Sequence, residues 1–337
     1  MTDPDTILLW GLPADPPIAA VADSLRRAGC PHSLLDQQSV LDTQMEMRVA
    51  GDVKGMLHMA DERLDLERVK AVYLRPYDSR ELPSIAAEPS GTALRHALAV
   101  QDMMLSWSEL TPALVLNRPS DMAANNSKPH QALWIESLGF KIPRTLLTTD
   151  SEAALQFWRQ HGTVIYKSMS GIRSIVSRVT AAHAARFEDL ASCPTQFQQY
   201  IAGCEYRVHV VGETVFACKI VSAADDYRYA SEPVKMQICD LPRAVAERCR
   251  SLARSMRLPL AGLDLRRTCD GSWYCFEVNS SPGFTYFEHR TGQPIAQAIA
   301  QLLIAGGAVG AARPSRAPRS RRHTSVGTRG RSTRPGG

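Results

Sequence analysis

The stretch "AGLDLRRTCDGSWYCFEVNSSPG", residues 261–283, constrains this chain more than any other. Two runs of alternating apolar and polar residues flank Asp270-Gly271, and Asp-Gly is the strongest short hairpin signal because a type I′ turn needs positive φ at both central positions. Centring the turn there predicts the pairs Arg266 with Cys275, Leu265 with Phe276 and Asp264 with Glu277. Side chains alternate along a strand, so Asp264, Glu277 and Asn279 share one face, while Leu263, Leu265, Phe276 and Val278 point from the other into a core. Like charges opposed across a ladder are destabilising unless neutralised, and two carboxylates with one amide suit a hard cation such as Mg²⁺. The plain alternative is a solvent-facing hairpin carrying ordinary surface acids.

The rest of the chain supplies the setting. Its 337 residues, 44% hydrophobic and 22% charged, allow two or three packed units of the usual ~100–150 residues. The first third alternates strand and helix. "TILLWG" reads as a buried strand, "PPIAAVADSLRRAG" as a helix opened by proline and closed by Gly29, and "KAVYLRP" as a later strand. This predicts a small α/β domain with a parallel sheet over residues 1–116. Its first turn, "WGLPADPP", lacks the G-x-G-x-x-G of a dinucleotide fold.

A helix over about residues 91–110 and the strand "ALVLN" lead into "RPSDMAANNSKPHQALWIESLGFKIPRT". There Pro129 fits a first helical turn and Gly139 a C-cap, so Lys128 stands at a helix start beside free backbone N–H groups that favour anions. From Thr163 the pattern turns to strands: "TVIYK", "SIVSRV", "TQFQQYI", "YRVHVVG" and "TVFACKIVS". A helix over about 242–256 precedes the hairpin, and "QPIAQAIAQLLIAG" is a helix expected to cap an α+β domain spanning 117–304.

Composition excludes several classes. No run approaches the ~18 consecutive apolar residues of a membrane span, and "MTDPDT" is acidic where a signal peptide would be basic, so no membrane partner and a cytoplasmic location are expected. The eight cysteines show no C-x-x-C pair and no zinc spacing, which favours reduced thiols. The formal charge of +5 misleads, because residues 313–337 hold eight arginines and no acid; 39 basic residues less those eight leaves 31 against 34 acidic. The segment 305–337 is expected to be a disordered Arg-rich tail, touching nucleic acid weakly if at all.

Taken together, "LDLRR…WYCFEVNSSPG", "KPHQALWIESLGFKIPRT" and "VIYKSMSGIRS" resemble the ATP-grasp ligases, in the RimK-like branch that includes ribosomal-protein glutamate ligases and microviridin-type peptide ligases. The likeness runs from about residue 117 to 303. It implies a pre-ATP-grasp α/β domain followed by an ATP-grasp fold, two α+β subdomains around ATP. It also implies ATP with Mg²⁺ as cofactors, Mn²⁺ being the alternative cation.

By that resemblance Asp264, Glu277 and Asn279 are metal ligands, and Lys128 and Lys167 contact nucleotide phosphates. Gln199, Tyr200 and Ile201 form the hinge whose backbone meets adenine, Glu205 takes the ribose hydroxyls, and Arg228 in "DDYRYA" approaches the transferred phosphate. Arg266 is open to two readings, a surface charge or a grip on the acceptor. Glu205 and Arg207 could equally form an ordinary surface ion pair, and His209 could be structural or touch substrate. Arg75 and Arg80 could hold an acidic substrate.

The implied reaction activates a carboxylate as an acyl phosphate for capture by an amine or hydroxyl. The implied partner is a peptide or protein, with a small amino acid as the alternative, and a homo-oligomer stays open. One departure is the loop after Lys167. Where relatives carry several glycines this chain has Gly171 alone, so either closure is stiffer or Ser168, Ser170 and Arg173 supply donors. Another is the short link "YIAGCEYR" from hinge to ribose acid. These departures motivate a rival reading, a non-catalytic ATP-binding regulatory protein.

Overall fold

The computed structural model describes residues 5–86, 91–123, 127–168, 177–221 and 234–309. Strands β1 (Thr6–Gly11) and β2 (His32–Asp36) enclose the helix Pro16–Arg27, which starts on prolines and closes at Gly29 with φ +66°. Three short antiparallel strands follow, β3 (Gln44–Val49), β4 (Val53–His58) and β5 (Arg63–Asp65). The chain then returns through β6 (Val69–Leu74) and β7 (Leu114–Leu116) to complete a parallel sheet of order β2-β1-β6-β7. Three of the four parallel strands, β1, β6 and β7, were legible from their apolar runs; β2 and the β3–β5 sheet were not, because "HSLLD", "QMEMRV" and "VKGMLH" carry no continuous apolar run.

A second sheet, all antiparallel, has the order β10-β9-β11-β8: β8 (Thr145–Thr148), β9 (Val164–Ser168), β10 (Ser177–Arg178) and β11 (Thr195–Gln199). The helix Ser151–His161 packs beneath it through Ala154. That helix escaped the sequence reading although its start is signalled, since Asp150 accepts hydrogen bonds from the N–H groups of Glu152 at 2.9 Å and Ala153 at 3.4 Å. Of the expected strand "SIVSRV", residues 174–176 lie outside the described residues.

The third sheet has the order β14-β13-β12-β15-β16: β12 (Cys204–Val211), β13 (Thr214–Val221), β14 (Lys235–Ile238), β15 (Leu260–Arg267) and β16 (Trp273–Asn279). Its core face packs on the helices Lys128–Ser137 and Arg243–Ser255 through Val208, Val210, Leu263, Leu265, Cys249 and Cys275. All eight cysteines are free, and burial pushes the thiols of Cys249 and Cys275 up, which keeps them protonated.

Two expectations about the last helix are corrected. It runs Ile295–Val309, past the boundary expected at 304. It also does more than cap the third sheet: Ile295, Ile299 and Leu303 share one core with Ile18, Val21 and Leu25 of the first helix and with Ile7 and Tyr73 of the parallel sheet. An apolar stripe on a helix is satisfied by whichever apolar faces surround it, and sequence does not say how many there are. Residues 310–337, with the arginine-rich tail, lie outside the described residues.

Candidate active site

The hairpin opposes Asp264 to Glu277 as expected, but the register slips immediately beyond, pairing Leu265 with Cys275 and Arg266 with Tyr274. Phe276 is the extra residue of a β-bulge, which reverses the alternation on one side of it. Cys275 and Trp273 therefore join Leu263, Leu265 and Val278 in the core, and Phe276, expected there, leaves it to lie 5.2 Å from the Arg266 guanidinium. The turn differs too. Gly271 alone has a positive φ, +81°, its N–H donates to the Thr268 carbonyl, and the Thr268 N–H donates to Ser272. This is a type I turn closed by a left-handed glycine, which demands less of Asp270 than a type I′ turn would.

On the face away from the core, β12 and β15 carry two cross-strand ion pairs. Arg207 faces Asp264 and donates from Nη1 to Oδ1 at 2.7 Å; Arg266 faces Glu205 and donates from Nη2 to Oε1 at 2.5 Å. Residues opposed across a ladder lie closer together than i and i+2 on one strand, so Glu205 and Arg207 each meet a partner on β15. Arg207 is 6% exposed and Arg266 9%, so both arginines are buried while their acid partners are partly exposed. Arg266 also donates from Nη1 to the Ile201 carbonyl at 2.8 Å. Its two Nη groups thus meet the hinge and Glu205 in a buried setting.

Lys128 forms an ion pair with Glu277, both about a third exposed. The helix Lys128–Ser137 holds this position because Gln131, one turn on, caps the free edge of β16. Its Nε2 donates to the Val278 carbonyl at 2.8 Å and its Oε1 accepts from the Val278 N–H at 3.0 Å. Asn117 makes a matching stitch, donating from Nδ2 to the carbonyls of Leu260 and Ser280, each at 2.6 Å. Neither amide was recognised from sequence, where a buried glutamine and a buried asparagine carry no signal of their own.

Electrostatics follow from this packing. Burial pushes the Glu277 carboxyl up, but Lys128, by charge and hydrogen bond, and then Lys167 and Arg207 outweigh it and hold the group below its ordinary value. Lys167, on β9 opposite Gln196, therefore acts on the same carboxylate from the second sheet. Asn279 lies opposite Gly262, and its Oδ1 accepts from the Ser281 N–H at 2.9 Å, turning the chain out of β16. Arg75, at the end of β6, bonds Asp15 through Nε at 2.5 Å and the Ser281 hydroxyl through Nη1 at 3.0 Å. It anchors the Ser-Ser-Pro-Gly turn, whereas Arg80 bonds its neighbour Asp78.

The hinge residues are largely engaged by protein. The Gln199 N–H donates to the Arg144 carbonyl at 2.9 Å and the Tyr200 N–H to Thr163 at 3.0 Å. The Tyr200 ring lies within cation–π distance of two guanidinium groups, Arg178 at 4.5 Å and Arg266 at 5.6 Å. Arg228 lies outside the described residues, as do Ser170, Gly171 and Arg173.

The site thus joins acids from the third sheet to cations from both sheets and one helix start. Among the described residues no three His, Cys, Asp or Glu side chains converge. The donor set at hand is two carboxylates and an amide, which fits a Mg²⁺ ion that draws the rest of its octahedron from phosphate and water.

A sequence model of the RimK-like ATP-grasp domain matches residues 123–303. A probable alpha-L-glutamate ligase of Picosynechococcus is 35% identical over 121 residues, 34% of this chain; the chain spans only 39% of that relative's length. Among solved structures, the macrocyclase MdnC of Microcystis aeruginosa, bound with precursor peptide MdnA, superposes with a TM-score of 0.75 at 24% identity, covering 89% of this chain and 99% of MdnC. The ATP-grasp ligase PsnB, complexed with a minimal precursor, Mg and ADP, gives a TM-score of 0.75 at 28% identity, covering 91% of this chain and 99% of PsnB. With more than half of its length under one family's sequence model, and the same fold covering 89–91% of it, this chain belongs to the RimK-like ATP-grasp family.

Proposed function

We propose that this protein is an ATP-dependent ligase that joins a carboxylate to an amine or hydroxyl, acting on a peptide or protein. ATP-grasp ligases use ATP and Mg²⁺. The observation that carries the reading is the pairing of opposed acids, Asp264 and Glu277, with Lys128, Lys167 and Arg207 gathered about the second of them. Such a site suits a metal–triphosphate, whose transfer chemistry depends on positioning and electrostatics.

In this reading Asp264, Glu277 and Asn279 hold Mg²⁺, which when bound offsets charge on the phosphate oxygens. Lys128 and Lys167 hold phosphates, the hinge at Gln199, Tyr200 and Ile201 takes adenine, Glu205 takes the ribose and Arg228 meets the transferred group. A substrate carboxylate oxygen attacks the γ-phosphorus as the bond to ADP breaks. An amine or hydroxyl then attacks the acyl carbon, loses its proton and expels phosphate. The peptide assignment is supported by likeness to PsnB, which is complexed with a precursor. The probable glutamate ligases favour a second reading, ligation of a free amino acid.

The test is to incubate purified protein with ATP, Mg²⁺ and either peptides that carry Asp or Glu together with Ser, Thr or Lys, or free glutamate. ADP with a peptide that has lost one water supports the first reading, and ADP with glutamate alone the second. AMP and pyrophosphate would overturn the acyl-phosphate route. Tight ATP binding without ADP formation for any acceptor would favour the regulatory protein.

A further inference from the structure

Arg207 sits in a cage that the activity assigned above does not explain. Its guanidinium crosses β15 at Gly262, where an added Cβ would come within 2.5 Å of Nη2 and 2.8 Å of the Pro282 Cβ. The Phe287 ring centroid lies 5.2 Å from Cζ. Its Nε points to the Nε2 of His209 at 3.4 Å, and His209 itself is 2% exposed with its ring 5.2 Å from Phe287.

An arginine has donors and no acceptor, so the facing Nε2 must be the unprotonated nitrogen of a neutral imidazole. Burial, and then the charge of Arg207, push His209 well below its ordinary value, in keeping with that form.

We propose that His209 is a positioning residue. Through Nε2, and with Gly262 leaving the space, it fixes the Arg207 guanidinium so that Nη1 stays on Asp264 and offsets part of its charge. This rests on the reading of Asp264 as a metal ligand. Arg207 thereby tunes how strongly the carboxylate draws a cation, and His209 sets Arg207. The glycine is required because the guanidinium occupies the volume of a side chain at that strand position.

The experiment measures Mn²⁺ binding to the substrate-free protein by EPR, alongside ADP formation and melting temperature. His209→Leu removes the acceptor at similar bulk; His209→Gln keeps one. With Leu, Mn²⁺ should bind about threefold tighter, since a nearby positive charge has been loosened, while turnover falls about tenfold, as for other residues that orient a ligand. Gln should restore both. Gly262→Ala, which displaces Arg207 directly, should behave as Leu does and decides the matter if His209→Leu does not fold.

Wild-type Mn²⁺ affinity and turnover in a folded His209→Leu or Gly262→Ala protein overturns the proposal. So does a Gln variant indistinguishable from Leu. Asp264→Asn separates the two ideas: if it binds Mn²⁺ as the wild type does, the metal reading fails. If it loses Mn²⁺ while His209→Leu changes nothing, only the role of His209 fails.

Discussion

Lys128 and Glu277 stand 149 positions apart in sequence and form one ion pair, joining the start of a helix to the edge strand of the third sheet. Glu277→Gln keeps the shape and removes the charge that Lys128, Lys167 and Arg207 surround. Mg²⁺-dependent ADP formation is expected to fall by at least about 10²-fold, the scale of removing a group that organises transition-state charge. An unchanged rate in the folded variant would end the metal-site reading.

The same carboxylate makes a statement about pH. Its folded-state pKa lies below the ordinary value, so it contributes stability that is present above the ordinary carboxylate range and is lost as pH falls through the folded value. The stability difference between wild type and Glu277→Gln is therefore expected to be full near neutrality and to shrink as the solution is acidified. Urea unfolding at a series of pH values measures it, and a difference that grows in acid contradicts the assignment.

Gln131→Leu replaces an amide that satisfies both backbone groups of Val278 on an edge strand. Two buried polar groups are left without their partner, at about 1–3 kcal/mol each. Urea denaturation should show the loss, and hydrogen exchange at the Val278 amide should accelerate.

Arg266 distinguishes a nucleotide-side role from an acceptor-side one. Because it bonds the Ile201 carbonyl and Glu205, Arg266→Lys is expected to raise the KM for ATP while leaving the KM of the acceptor nearly unchanged. The opposite split would restore the grip on the acceptor. Breaking the pair outright with Arg266→Leu should lower stability in urea unfolding, because the Ile201 carbonyl loses its donor and Glu205 loses this cation.

Arg75 ties the first domain to the turn after β16. Arg75→Ala should loosen Ser281, and with it the Asn279 amide that caps the turn, lowering turnover by about tenfold, as for a residue that orients a ligand from outside. Arg75→Lys should recover little, because one ammonium does not reach Asp15 and Ser281 in the fixed fork of a guanidinium.

Much of this was legible from residues alone. Apolar runs marked three of the four parallel strands, Pro129 and Gly139 framed the helix that opens on Lys128, and Asp-Gly located the hairpin well enough to oppose Asp264 to Glu277. These are local signals, set by φ preferences and by the period of side chains along a strand. Tertiary structure alone decided which cation meets which acid. Arg207 went to Asp264 and Arg266 to Glu205 because β12 lies beside β15, a neighbour relation that no spacing within either strand encodes. The bulge at Phe276 likewise answers to packing, since Trp273 and Cys275 fill the core beside Leu263 and Val278 and leave Phe276 to cover the guanidinium of Arg266.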